Sequence, residues 1–206
     1  YGFTTLVERP SIFTNSKIAI DTSSYTVGIQ IIGVSEGDSL FPGIIYNNAD
    51  NTLLFIVAKD PNGNEWKEPI STNIVEANSF YISSGKFKNV PYVICYDNNQ
   101  NYYFNTVNTS GNWNVPKKIN SSQLNEGGVS SCIINNESIG VIMNETENTQ
   151  FVFKRYFNNN NWDNITEIKI NYGDSLLYRN PIIIYEGGII YIFYVPDDRK
   201  IYLITS

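Results

Sequence analysis

The stretch "FPGIIYNNADNTLLFIV", residues 41–57, decides how the chain is read. A proline precedes a short apolar run, a tyrosine closes it, and a cluster of Asn, Ala and Asp separates it from a second apolar run. Both runs are rich in Ile, Leu and Phe and too short for a helix, and the polar cluster between them suits a turn, so the stretch predicts two antiparallel strands. The same phrase returns as "VPYVICYDNNQNYYFNT" from Val90 and as "NPIIIYEGGIIYIFYV" from Asn180. A fourth copy, "SSCIINNESIGVIM" from Ser130, carries Ser131 in place of the proline. A fifth, "RPSIFTNSKIAIDTSSYTVGIQII", starts at Arg9. Repeats therefore begin near residues 10, 42, 91, 131 and 181, a spacing of roughly 32 to 50 residues, which is the spacing of propeller blades.

A second phrase closes three of the repeats: "GNEWKEP" around Trp66, "GNWNVP" around Trp113 and "NNWDNI" around Trp162. Each follows a third strand. Large aromatics at matching places in successive sheets would fill the wedge between neighbours. The expected fold is all-β: a single five-bladed β-propeller over residues 1–206, with blades of about four antiparallel strands. The apolar runs "SIFT", "GIIY", "YVICY", "CIIN" and "IIIY" would be the strands lining the channel. The segment "FTTLVE" (3–8) would supply the strand missing from the last blade, closing the ring by pairing the N- and C-terminal strands. The abrupt start at Tyr1 suggests a domain excised from a longer chain.

Composition narrows the function classes. Formal net charge is −6 and the sequence pI about 4.7, which disfavours a phosphate backbone as partner and predicts no nucleic-acid binding. No apolar stretch is long enough to cross a bilayer as a helix, so no membrane partner is expected. The chain has no His and two Cys, so neither a metal site nor a cofactor is predicted. Cys95 and Cys132 sit inside apolar runs and read as buried thiols. Asn makes up about one residue in seven, far above average usage.

The candidate site comes from the ends of the repeat-opening strands. Tyr46, Tyr96 and Tyr185 close three of them, with Asn135 in the corresponding place of the fourth. Asp97 and Glu186 follow in the polar series Asn15, Asn47, Asp97, Asn136, Glu186. If these positions are equivalent, Tyr46, Tyr96, Asp97, Asn135, Tyr185 and Glu186 form a rim of aromatic faces, hydroxyls and carboxylates around one channel mouth, which suits a neutral or cationic sugar. The plainer reading makes the tyrosines core and Asp97 and Glu186 turn residues. A glycosidase would need paired carboxylates, and only Asp97 and Glu186 of that series qualify, so no enzymatic activity is expected.

The three Trp phrases resemble degenerate Asp-boxes, the Ser-x-Asp-x-Gly-x-x-Trp hairpins of sialidase-like propellers, and "YRNP" at 178–181 resembles the arginine signature that opens sialidase domains. Arg179, however, has a twin in Arg9, also set before a repeat-opening proline, so it reads as part of the repeat. Taken whole, the chain resembles the five-bladed propeller of receptor-binding tail-fibre proteins from phages of the staphylococcal siphophage type. That resemblance implies a non-catalytic module that recognises a host cell-wall glycopolymer such as teichoic acid. It also implies other virion proteins as partners, a homotrimeric full-length protein, and location in the virion tail or on an extracellular surface. A small glycoside hydrolase and a structural propeller for protein interaction are the alternatives.

Overall fold

A computed structural model describes residues 29–36, 38–48, 50–119, 128–135, 137–145, 150–157, 161–163, 181–195 and 200–206. These residues form four antiparallel sheets, and no helix occurs among them. The first sheet is β1 (Ile29–Glu36), β2 (Ser39–Asn47), β3 (Leu53–Val57) and β4 (Ile70–Ser71). The second is β5 (Ala77–Phe87), β6 (Val90–Asp97), β7 (Tyr102–Thr106) and β8 (Lys117–Lys118). The third is β9 (Val129–Asn135), β10 (Ser138–Glu145), β11 (Gln150–Phe157) and β12 (Asn161–Asp163). The fourth is β13 (Ile182–Glu186), β14 (Ile189–Tyr194) and β15 (Tyr202–Thr205). Within each sheet the strands lie side by side in chain order, so each is a simple meander.

Neighbouring sheets meet first through their opening strands, β1 on β5, β5 on β9 and β9 on β13. These four strands are therefore the innermost, and they run in the same direction. Lys86 near the end of β5 donates to Ser35 Oγ near the end of β1 (2.7 Å), and the Ile183 amide at the start of β13 donates to Ser130 Oγ at the start of β9 (3.3 Å). The repeat thus has a different phase from the expected one. "CIIN" and "IIIY" belong to innermost strands, but "GIIY" and "YVICY" belong to second strands, β2 and β6. The described residues hold four sheets; the repeat expected from residue 10 (apart from its last four residues, which open β1), the closing strand at 3–8 and Arg179 lie outside them.

Converging inner strands require small side chains, and β5 and β9 supply "SSG" and "SS" where they meet. Ser83 Oγ and Ser131 Oγ share a hydrogen bond at 2.7 Å. Gly85 lies opposite Tyr92 in the β5–β6 ladder, and a Cβ at Gly85 would stand 2.7 Å from the Tyr92 hydroxyl. That space lets Tyr92 reach across to Ser131 Oγ of the next sheet, 3.0 Å away. Further out the sheets diverge and the filling becomes aromatic. The Trp113 ring meets Phe55 of the first sheet edge-on at 5.5 Å between centroids, inside a cluster that includes Ile32, Ile45, Leu53 and Ile74. Trp113 thus takes the wedge role expected of the three Trp; Trp66 does not, being half-buried and donating its indole N–H to the Gly63 carbonyl of its own turn (2.9 Å), and the Trp162 side chain lies outside the described ones. Between the second and third sheets, Phe104 and Tyr156 lie 4.6 Å apart, surrounded by Ile94, Val141 and Met143. The fourth sheet rests on the third through Ile183, Ile192 and Tyr194 against Ile134, Ile142 and Phe151.

Two outcomes follow from these seams. Trp113→Ala removes the wedge between the first two sheets and is expected to cost about 3–5 kcal/mol, read as a lowered urea midpoint. Burial also pushes the Tyr92 hydroxyl up to about 12 from an ordinary 10.0. The folded protein therefore holds this proton more tightly than the unfolded chain does. The stability from this group is full below pH 10.0 and is lost as pH rises towards about 12. An alkaline titration that follows tyrosinate absorbance and circular dichroism together should show part of the tyrosine signal appearing only with unfolding.

Candidate functional site

The six residues expected to form one rim lie at two opposite ends of the sheets. Tyr46 pairs with Ile29, the first residue of β1, and Asp97 with Ala77, the first residue of β5. Tyr46, Tyr96 and Asp97 thus mark the end where the inner strands begin. Asn135 near the end of β9, and Tyr185 and Glu186 at the end of β13, mark the end where they finish. The mismatch is the phase difference described above: second strands run antiparallel to first strands. Tyr46 and Tyr96 are also only 3% and 1% exposed, and the Tyr96 ring packs on Tyr102 at 4.9 Å, so their faces are spent on the interior. Tyr185 is half-buried against the seam of the third and fourth sheets, while Asn135 and Glu186 are exposed.

Asp97 holds a turn. Its Oδ1 accepts the amides of Asn99 (2.9 Å) and Asn101 (2.8 Å), closing the β6–β7 hairpin. Asn48 does the same in the first sheet, accepting from Asp50 (3.1 Å) and Thr52 (2.9 Å). Asn48, not Asn47, is therefore the counterpart of Asp97; Asn47 is buried and donates to the Ala77 carbonyl. Asp60 and Asn108 cap two more turns in the same way, and Asn135 Oδ1 accepts the Glu137 amide (2.8 Å) and the Ser138 hydroxyl (3.0 Å). Three backbone amides drawn onto the Asp60 carboxylate favour its charged form, and its pKa is held below the usual value chiefly by the Glu65 amide. Burial pushes the Cys132 thiol up to about 11 and the Cys95 thiol higher still, so neither is a thiolate nucleophile at neutral pH. Among the described residues no group of three or more His, Cys, Asp or Glu is placed to hold a metal ion.

Among the described residues, a recess with polar walls opens at the outer part of the seam between the second and third sheets. It has a volume of about 330 Å³ and is bounded by Phe104, Asn105, Thr106, Asn114, Lys117 and Tyr156, with Val115 at its lip. Its shape follows from the local chain path. After β7 the chain turns over the Asn108-capped hairpin and returns through Trp113, whose ring points to the other face of the sheet, toward Phe55. Side-chain amides, one of them buried, fix what comes next. Asn105 Nδ2 donates to the carbonyls of Thr72 (2.6 Å) and Asn114 (2.7 Å), and Asn73 Nδ2 donates to those of Trp113 and Asn114 (3.0 Å each).

The side chains left facing the recess have distinct chemistry. Asn114 donates its own amide to the Thr106 carbonyl (2.7 Å), which leaves Oδ1 as an acceptor. Lys117 stands opposite Phe104 in the β7–β8 ladder, is exposed, and has no hydrogen-bond or ion-pair partner among the described residues. Thr106 Oγ1 donates to the Pro91 carbonyl (2.9 Å) and retains acceptor capacity. Burial raises the pKa of the Tyr156 hydroxyl, keeping it protonated at neutral pH. An aromatic floor with a few convergent polar groups is the usual make-up of a small-molecule site. None of these residues was singled out by the repeat reading. The signals present in the sequence were a basic pair, Lys117–Lys118, and an apolar Val115 that the fold leaves 83% exposed.

Several solved structures that share this fold are lectins. The BP39L lectin of Burkholderia pseudomallei superposes with a TM-score of 0.69 at 13% identity, over 85% of this chain and 51% of that one. A variant of AofleA from Arthrobotrys oligospora gives 0.68 at 12% identity, over 90% and 56%. The fucose-specific lectin of Aleuria aurantia, described as a six-bladed β-propeller, gives 0.63 at 12% identity, over 90% and 59%. The chain has the fold of β-propeller lectins. It spans between half and three-fifths of the length of these structures. No protein-family model and no curated protein matches the sequence.

Because Asn48 caps the first hairpin as Asp97 caps the second, Asp97→Asn should leave the thermal midpoint nearly unchanged. Asp97→Ala strips two backbone amides of their acceptor and should destabilise by roughly 1–3 kcal/mol. Paired thermal melts of the two variants measure the difference.

Proposed function

We propose that this domain is a non-catalytic carbohydrate-binding module and that the recess between the second and third sheets is a glycan site. The observation that carries the proposal is the combination at that seam: a buried Phe104–Tyr156 floor beneath an Asn114 Oδ1 and a Lys117 ammonium that have no partner among the described residues. Sugars present apolar ring faces and hydroxyl edges together, and these groups match both. The shared fold with lectins, among them one named fucose-specific, supports the same reading. A hydrolase would need two carboxylates within reach of one glycosidic bond, whereas Asp97 and Glu186 stand at opposite ends of the sheets.

The more specific reading makes the module a receptor-recognition domain of a virion tail or other extracellular surface protein. Its target would then be a bacterial cell-wall glycopolymer, and the full-length protein a homotrimer working with other virion proteins. The repeat pattern and composition shared with tail-fibre propellers support it.

A glycan array followed by calorimetry tests the proposal. Wild-type protein should bind at least one saccharide without releasing reducing sugar. Asn114→Ala should weaken that binding about tenfold, the value of one hydrogen bond of ~1.4 kcal/mol, while circular dichroism stays unchanged. Glu186→Gln, far from the recess, should bind as wild type. Saccharide binding that is untouched by Asn114→Ala and lost in Glu186→Gln would move the site to the other location.

A further inference from the structure

We propose that the recess selects a sugar bearing a single carboxylate, such as a hexuronic acid, over the corresponding neutral sugar and over a sugar phosphate. This rests on the glycan-binding reading above and adds to it the charge class of the ligand.

Among the described residues, Lys117 is the only charged side chain lining the recess, and no described carboxylate shares it. The chain supplies two consecutive lysines there, yet only one faces the recess. Lys117 lies opposite Phe104 and Lys118 opposite Tyr103, so strand alternation sends the second ammonium to the other face of the sheet. Lys154, two residues before Tyr156 and on the same face of β11, directs its ammonium to the Ile119 carbonyl at 2.6 Å. The recess therefore offers one positive charge flanked by neutral acceptors, Asn114 Oδ1 and Thr106 Oγ1. That set matches one anionic oxygen beside hydroxyl groups that donate.

The rest of the molecule sets the upper limit on ligand charge. The chain carries −6 overall, so a ligand bringing one negative charge has it met by Lys117, whereas each additional charge meets a repelling field. A phosphomonoester carries close to two charges at neutral pH. A phosphodiester polymer repeats its charge along the chain, beyond the reach of a single ammonium. An isolated carboxylate on a sugar ring is the anion that fits both limits.

The test uses methyl glycosides of glucose, galactose and mannose, their uronic acid counterparts and their 6-phosphates, titrated calorimetrically into wild type, Lys117→Met, Lys117→Arg and Asn114→Ala. In wild type at least one uronide should bind about tenfold tighter than its neutral parent and tighter than its phosphate. The preference should shrink as salt is raised. Lys117→Met should abolish the preference while keeping the weaker neutral binding, Lys117→Arg should retain it, and Asn114→Ala should weaken neutral and acidic sugars alike. Neutral and acidic sugars binding equally, a phosphate binding tightest, or a preference that survives Lys117→Met overturns the inference and leaves the glycan site standing. Failure of every sugar, neutral or charged, overturns both.

Discussion

Sheets that radiate from an axis touch at their inner strands and part at their outer ones, and the side chains must absorb that difference. Here the inner end is filled by Ser83, Gly85 and Ser131, close enough for two seryl hydroxyls to share a hydrogen bond at 2.7 Å. The outer end is filled by rings: Trp113 against Phe55 at one seam, Phe104 against Tyr156 at the next. Tyr92 spans the two regimes, with its ring in the aromatic layer and its hydroxyl at Ser131 beside the axis. Dense packing makes each of these residues hard to replace, because a gap in the wedge loses contacts on both sheets at once.

The recess is a product of the same geometry. In the first seam, Trp113 and the amides of Asn73 and Asn105 tie the outer strands together across the widening gap. In the second seam the filling stops at Phe104 and Tyr156, and the space beyond them is left to Asn114, Val115 and Lys117. The loop carrying Asn114 is held by the amides of Asn105 and Asn73, so its side-chain oxygen is positioned before any ligand arrives. Ligands gain from such pre-organisation because less ordering remains to be done on binding.

The strand content, the turn residues and the aromatic wedge were legible in the sequence, because period, turn chemistry and bulky side chains are local properties. The phase of the repeat was not. "FPGIIY" and "NPIIIY" look alike, yet the first is a second strand and the other an innermost one. Both kinds of strand lie between neighbouring sheets and present apolar runs, so hydropathy cannot distinguish them. That ambiguity moved Tyr46 and Tyr96 to a predicted rim when they belong to the interior. The true counterpart of Asp97 is visible only in its hydrogen bonds, which Asn48 repeats. Asn114 and Tyr156 come from different sheets, and only their packing brings them to one recess.

The turn caps carry a last implication. Asn48, Asp60, Asp97 and Asn108 each use side-chain oxygen to gather backbone amides, a task that amide and carboxylate perform alike. A single-step exchange between Asn and Asp at any of them alters surface charge by one unit with little disturbance to the hairpin. The architecture thereby leaves its electrostatic character open to neutral evolutionary drift. Related domains could diverge from acidic to near-neutral surfaces, and so in the ligands they tolerate nearby, while every strand stays where it is.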